Sequence, residues 1–208
     1  MFDQRRFHSV WSRVGGRHDP SQLFARVLAN YSQPARAYHN VCHVNHCLRQ
    51  LDFARGESQR PDEIELAIWF HDAIYDPRAH DNEQRSASWA AEALHEAQVQ
   101  PDVIDRVAKM ILATKHDREP DELDGCLLVD IDLSILGREP AVFDQYDRKI
   151  REEYRWVADD AYRAGRTAVL ECFLRRPVIY RTALFQGRFE AQARQNLQAA
   201  ISQLQTSG

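Results

Sequence analysis

The sequence predicts an all-α protein, and three observations predict it. Gly and Pro are sparse, eight of each in 208 residues. The prolines fall between segments of helical periodicity, where they do not interrupt an i to i−4 ladder. Apolar residues recur at spacings of three and four, and strict strand-like alternation is almost absent. Only VIYRTALF, residues 178 to 185, leaves a strand open.

The elements follow in order. A first helix is expected over about residues 3 to 14, ended by Gly15 and Gly16. A second starts at Asp19-Pro20, with Asp as N-cap and Pro at the first helical position. A third runs from about Asn40 to Ala54 with Val41, Val44, Leu48 and Leu51 on one stripe. A fourth starts at Pro61 and carries Ile64, Ala67, Ile68, His71, Ile74 and Tyr75 on a common face. After the polar loop PRAHDN come helices over about 83 to 98, 101 to 114 and 125 to 136, then 141 to 157, 159 to 174 and 188 to 205. The length suits one domain, 1 to 208, with its motifs at about 31 to 136 and C-terminal helices at 140 to 205 packed on them.

Hydrophobic residues make up 44% and charged residues 28%, an ordinary globular balance. A formal net charge of −4 gives no basic face for nucleic acid, so no nucleic-acid partner is expected, and the charge leaves room for a small anionic substrate. No apolar run approaches the ~20 residues that span a bilayer, and MFDQRRFHSVW lacks a signal-peptide core; a cytoplasmic location and no membrane partner are expected. Cys42, Cys47, Cys126 and Cys172 form no CxxC pair and are read as buried free thiols.

Three clusters carry chemistry. AIWFHDAIYD, residues 67 to 76, places Asp72 among apolar residues, where an ionised carboxylate costs several kcal/mol unless it is paired or binds a cation. His71 and Asp72, about 100° apart on a continuing helix, can converge on one point. AYHNVCHVNHC offers His39, His43 and His46, of which either pair spaced four or three can share a face; His46 is read as structural. CLLVDIDLSILG sets Asp130 and Asp132 two positions apart, pointing oppositely, so only one faces a given site.

RAYHN, FHDAIYDP, DNEQRSA and DIDLSILG together resemble the signature of the HD-domain superfamily of metal-dependent phosphohydrolases. The closest likeness is to a bacterial group described as predicted HD-superfamily phosphohydrolases, with a looser likeness in IREEY and FEAQARQNL. The resemblance implies an HD-type helical bundle in which His43, the doublet His71 and Asp72, and Asp132 hold a metal. Such a mixed N/O donor set suits Mn, Fe, Co, Ni or Zn, with Mg possible at a second site.

A cation there lowers the pKa of water from about 16 towards 7 and polarises a phosphoryl oxygen, so hydrolysis of a small phosphate ester, a nucleotide or related metabolite, is the expected activity. His39 resembles the general acid of the superfamily's cyclic-nucleotide phosphodiesterases. Asp76, one turn beyond Asp72 if the helix continues, is the first candidate to handle the water, and Glu83 the alternative. Arg36, Lys115 and His116 are candidates for binding substrate phosphates, and His116 alternatively for a second metal. A guanosine tetraphosphate or cyclic-nucleotide hydrolase is the alternative, although Tyr75 stands where the alarmone enzymes carry Glu. A non-catalytic metal-binding regulatory or ligand-sensing module is a further one.

Overall fold

A computed structural model describes residues 3 to 206. Among these residues the protein is all α: ten α-helices, two short 3-10 helices and no strand. The segment 178 to 185 is irregular and then helical, because the last helix begins at Ala183 rather than near 188. The helices group into two compact units, Met1–Ile131 and Asp132–Gly208. The boundary falls inside one unbroken helix, α7, Leu123–Leu133.

In the first unit, α1 (Gln4–Arg13), α2 (Ser21–Tyr31), α3 (Val41–Ala54), α4 (Pro61–Phe70), α5 (Asn82–Glu96) and α6 (Pro101–Ala113) surround a common core. α4 is its hub, packed against α1, α3, α5 and α6. Glu63 through Phe70 are all buried, so α4 is enclosed on every side rather than amphipathic. Aromatic rings lock it in place. Phe7 meets Trp69 edge-on at 5.3 Å between centroids, Phe24 meets Trp69 at 6.2 Å, and Trp89 meets Phe70 at 5.6 Å.

Pro61 starts α4, and the buried Asp124 carboxylate accepts the N–H groups of Gln59 (2.8 Å) and Arg60 (2.9 Å) just before it. A negative group at a helix N-terminus both satisfies orphan donors and complements the helix dipole. The helix ends at Phe70, earlier than the periodicity through Ile74 and Tyr75 suggests, with His71 as its C-cap residue.

The second unit contains a 3-10 turn at Ser134–Gly137, then α8 (Pro140–Glu153), α9 (Asp159–Leu174) and α10 (Ala183–Thr206). The polar residues of FEAQARQNL hold loops within this unit. Glu190 accepts the N–H groups of Ile179 and Tyr180, Arg194 donates to the carbonyls of Leu174, Arg176 and Pro177, and Asn196 donates to those of Leu136 and Arg138. Gly137 abuts Phe189 so closely that a Cβ would lie 2.6 Å from the Phe189 carbonyl oxygen, which excludes any larger residue there. In IREEY, Arg151 likewise caps the carbonyls of Tyr154 and Val157.

All four cysteines are free, but only Cys47 is buried; Cys42 and Cys172 are exposed, which corrects the expectation of buried thiols. No described helix is long and apolar enough to cross a membrane.

One buried carboxylate organises the N-terminal helices. The Glu65 side chain, 2% exposed, accepts from Arg6 Nε at 2.9 Å and Arg55 Nη1 at 3.0 Å. Glu65→Ala is expected to cost about 2–3 kcal/mol in urea denaturation. That is below the 3–5 of a fully buried pair because both arginines can be rehydrated. Asp52→Ala, which removes a half-exposed partner of Arg6, is expected to cost under about 1 kcal/mol.

Candidate metal centre

Asn40 begins the construction of the site. Its side chain accepts from the Cys42 N–H at 2.8 Å as the N-cap of α3, while its amide donates to the carbonyls of Arg36 and Ala37. α3 therefore starts at Val41, with His43 buried in its first turn and Cys47 one turn further on the same face. The end of α4 brings His71 to the same place. The two Nε2 atoms lie 2.9 Å apart.

The tautomer of His71 follows from its other nitrogen. Nδ1 lies 2.8 Å from the Ile68 carbonyl oxygen, which can only accept, so Nδ1 carries the proton. With Nδ1 protonated, an unprotonated Nε2 would turn its lone pair towards His43, the arrangement seen around metal-binding imidazoles. Asp72 Oδ2 closes a triangle, 3.1 Å from His71 Nε2 and 3.4 Å from His43 Nε2. Two donors each about 2.1 Å from one cation are ~3.0 Å apart at a right angle and ~3.4 Å apart at a tetrahedral angle. All three separations thus match edges of a coordination polyhedron.

Burial acts to raise the Asp72 pKa, but His71, His39 and His43 outweigh it and hold the carboxylate well below its ordinary range. It stays ionised at neutral pH.

His43, Cys47, His71 and Asp132 place ligand atoms within 4.8 Å of one another, a group able to hold a metal ion. The first three are buried and Asp132 is half-buried, on the last turn of α7. Of the DID pair it is Asp132 that joins this group; Asp130 is fully buried. Cys47 is the member of this group that the sequence does not single out, although its spacing of four from His43 is visible.

Its sulphur nevertheless sits differently from the other donors. Sγ is 3.9 Å from His43 Nδ1 and 3.8 Å from Nε2, nearly equidistant, so it lies beside the ring and not along a lone pair. A cation about 2.1 Å out along the Nε2 lone pair is then roughly 4 Å or more from the sulphur, beyond the ~2.3 Å of a zinc–thiolate bond. His43, His71 and Asp72 form the close triangle, and Cys47 and Asp132 stand with the two histidines in the group able to hold a metal.

The segment after α4 is held residue by residue. The Asp72 N–H donates to Tyr31 Oη at 3.1 Å, the Ile74 N–H donates to Ser86 Oγ at 3.0 Å, and the Ser86 hydroxyl returns a bond to the Ile74 carbonyl. Asn82 Oδ1 accepts from the Asp76 N–H at 3.0 Å, and its amide donates to the Asp76 carbonyl at 2.9 Å. Asn82 and Ser86, four apart on α5, thus tie the DNEQRSA segment to FHDAIYDP.

The remaining nominated residues are placed as follows. His39, half-buried, stacks on Tyr75 at 4.3 Å and 28° and meets Tyr38 edge-on at 5.0 Å. It is near enough to Asp72 to help keep it ionised. Asp76 is exposed in a loop, and Oδ1 accepts from the Arg78 N–H at 2.9 Å. The helical flank that was to bring it beside Asp72 does not exist, since α4 has already ended.

Glu83 lies in the first turn of α5. Arg36 is buried, and its guanidinium donates to backbone carbonyls rather than facing outward. Lys115 is exposed, 3.6 Å from Asp117, and lines a cleft of about 540 Å³ that shares no residue with the metal group. His116 follows it at a positive φ of 61°. Asp76 is thus not carried to the centre by the helix that was expected to carry it.

No protein family, no curated protein and no solved structure matches the chain. The protein is an all-α chain with a buried histidine- and carboxylate-rich group able to hold a metal.

Elemental analysis of purified variants tests the donor set. His43→Ala and Asp72→Ala are expected to lose stoichiometric metal, while Cys47→Ser keeps it. The cobalt form is expected to show no thiolate charge-transfer band. Full metal in the Asp72 variant, or loss in the Cys47 variant, would reverse the assignment.

Proposed function

We propose that the protein is a metal-dependent phosphohydrolase of the HD type, acting on a small phosphate ester such as a nucleotide or related metabolite. The observation that carries this reading is the convergence of His43 Nε2, His71 Nε2 and Asp72 Oδ2 within 2.9 to 3.4 Å, with Asp132, later in the chain, grouped with the same histidines. A divalent cation bound there supplies Lewis acidity towards a phosphoryl oxygen and acidifies water. The likeness of RAYHN, FHDAIYDP and DIDLSILG to the HD signature supports the same reading.

The chain's own residues have separable tasks. Asp72, held ionised, would hold the cation and orient the acidified water by accepting its hydrogen bond, the water's proton passing to solvent. His39, its ring plane fixed against Tyr75, is the general acid: its N–H protonates the oxygen that leaves phosphorus as the new P–O bond forms from water. Tyr75 in this role also argues against an alarmone hydrolase, whose Glu at that position would be absent.

A non-catalytic metal-binding module is the second reading. It is favoured by one observation, that Arg36 faces backbone and Lys115 lines a separate cleft, so two nominated phosphate ligands are engaged elsewhere.

Metal-reconstituted protein assayed against phosphomonoesters, phosphodiesters and nucleoside di- and triphosphates separates the two. Turnover is expected in one class, with His39→Ala retaining metal but losing about 10²- to 10⁴-fold in kcat. Absence of turnover with every metal tried, at full metal content, supports the non-catalytic module.

A further inference from the structure

We propose that Arg36 is a positioning residue of the metal centre: its guanidinium fastens the backbone that carries Asp72 to the backbone that carries His39, and it does not bind substrate phosphate. The inference rests on the metal-centre reading above, and it follows from where the guanidinium's donors go.

A helix that ends inside a core leaves its last carbonyls without partners, and water cannot reach them. Past Phe70 this need is met by side chains. Arg36 Nη1 donates to the Asp72 carbonyl at 2.6 Å and Nη2 to the Ala73 carbonyl at 3.1 Å; Asn30 reaches the same Ala73 oxygen at 3.0 Å. Nη1 also donates to the His39 carbonyl at 3.2 Å. One planar group thus spans the two stretches of chain whose side chains must converge, the turn before α3 and the turn after α4.

Three further features suit a strap and not a phosphate ligand. Arg36 is only 5% exposed. Its guanidinium sits over the rings of Tyr31 at 5.2 Å and Tyr75 at 5.5 Å, and Tyr31 itself accepts the Asp72 N–H. A permanent cation at a helix C-terminus also complements the dipole there. The same residue therefore backs both Asp72, through its carbonyl, and Tyr75, the platform on which His39 stacks. Lysine cannot replace it, because one ammonium cannot hold two adjacent carbonyls in a fixed fork.

The test compares wild type with Arg36→Ala and Arg36→Lys by manganese titration calorimetry, hydrogen exchange of metal-free protein over residues 71 to 76, and inorganic phosphate binding. Both variants are expected to bind manganese about 10- to 100-fold more weakly, as for lost outer-sphere support, and to exchange faster in that segment. Added guanidinium ion is expected to restore part of the affinity in Arg36→Ala, which a general loss of stability would not allow. Unchanged manganese affinity and exchange with weakened phosphate binding overturns the proposal and returns Arg36 to the substrate.

Should Arg36→Ala not fold, Arg36→Lys carries the same readouts. Should wild type bind no manganese, the metal-centre reading fails by itself. The exchange rates then still decide whether Arg36 straps the segment.

Discussion

The site depends on a helix that ends inside the core. α4 is buried along nearly its whole length, and His71 and Asp72 follow at its C-terminus with two charged or polar side chains and a run of carbonyls to satisfy. Leaving any of these unpaired costs about 1–3 kcal/mol per group, and more for the carboxylate. The surroundings are arranged around that debt. Tyr31, Asn30 and Arg36 take the backbone on one side, and Asn82 and Ser86 take it on the other. Only the ring nitrogens and the Asp72 carboxylate are left to face one another.

This arrangement explains why motifs far apart in the chain belong together. RAYHN supplies the strap Arg36, the stacked His39 and the N-cap Asn40 that sets the phase of α3 and hence of His43. DNEQRSA contributes no donor to the metal group; it holds the backbone from Ile74 to Asp76. The likeness to HD phosphohydrolases is thus carried partly by residues of the group able to hold a metal and partly by residues that position the adjoining backbone.

Much of the fold was legible because prolines at the starts of α4, α6 and α8 and the apolar spacing are local signals. The ligand clusters were legible for a different reason, since a carboxylate among apolar residues demands an explanation wherever it occurs. What misled was continuity. Apolar spacing runs on through Ile74 and Tyr75, yet α4 stops at Phe70 because tertiary hydrogen bonds from Tyr31, Arg36 and Ser86 capture the next residues.

With the helix gone, the geometric case for Asp76 beside Asp72 goes too. Arg36 was read by charge alone, and charge does not reveal whether a guanidinium faces solvent or a ring of carbonyls. Cys47 went unseen because a single thiol has no pairing pattern, although its spacing from His43 placed it on the same face.

X-ray absorption at the edge of the bound metal tests the central claim most directly. The account predicts a shell of nitrogen and oxygen donors at about 2.1 Å with the multiple-scattering signature of two imidazoles. A shell without imidazole, or one with sulphur at about 2.3 Å, would contradict it.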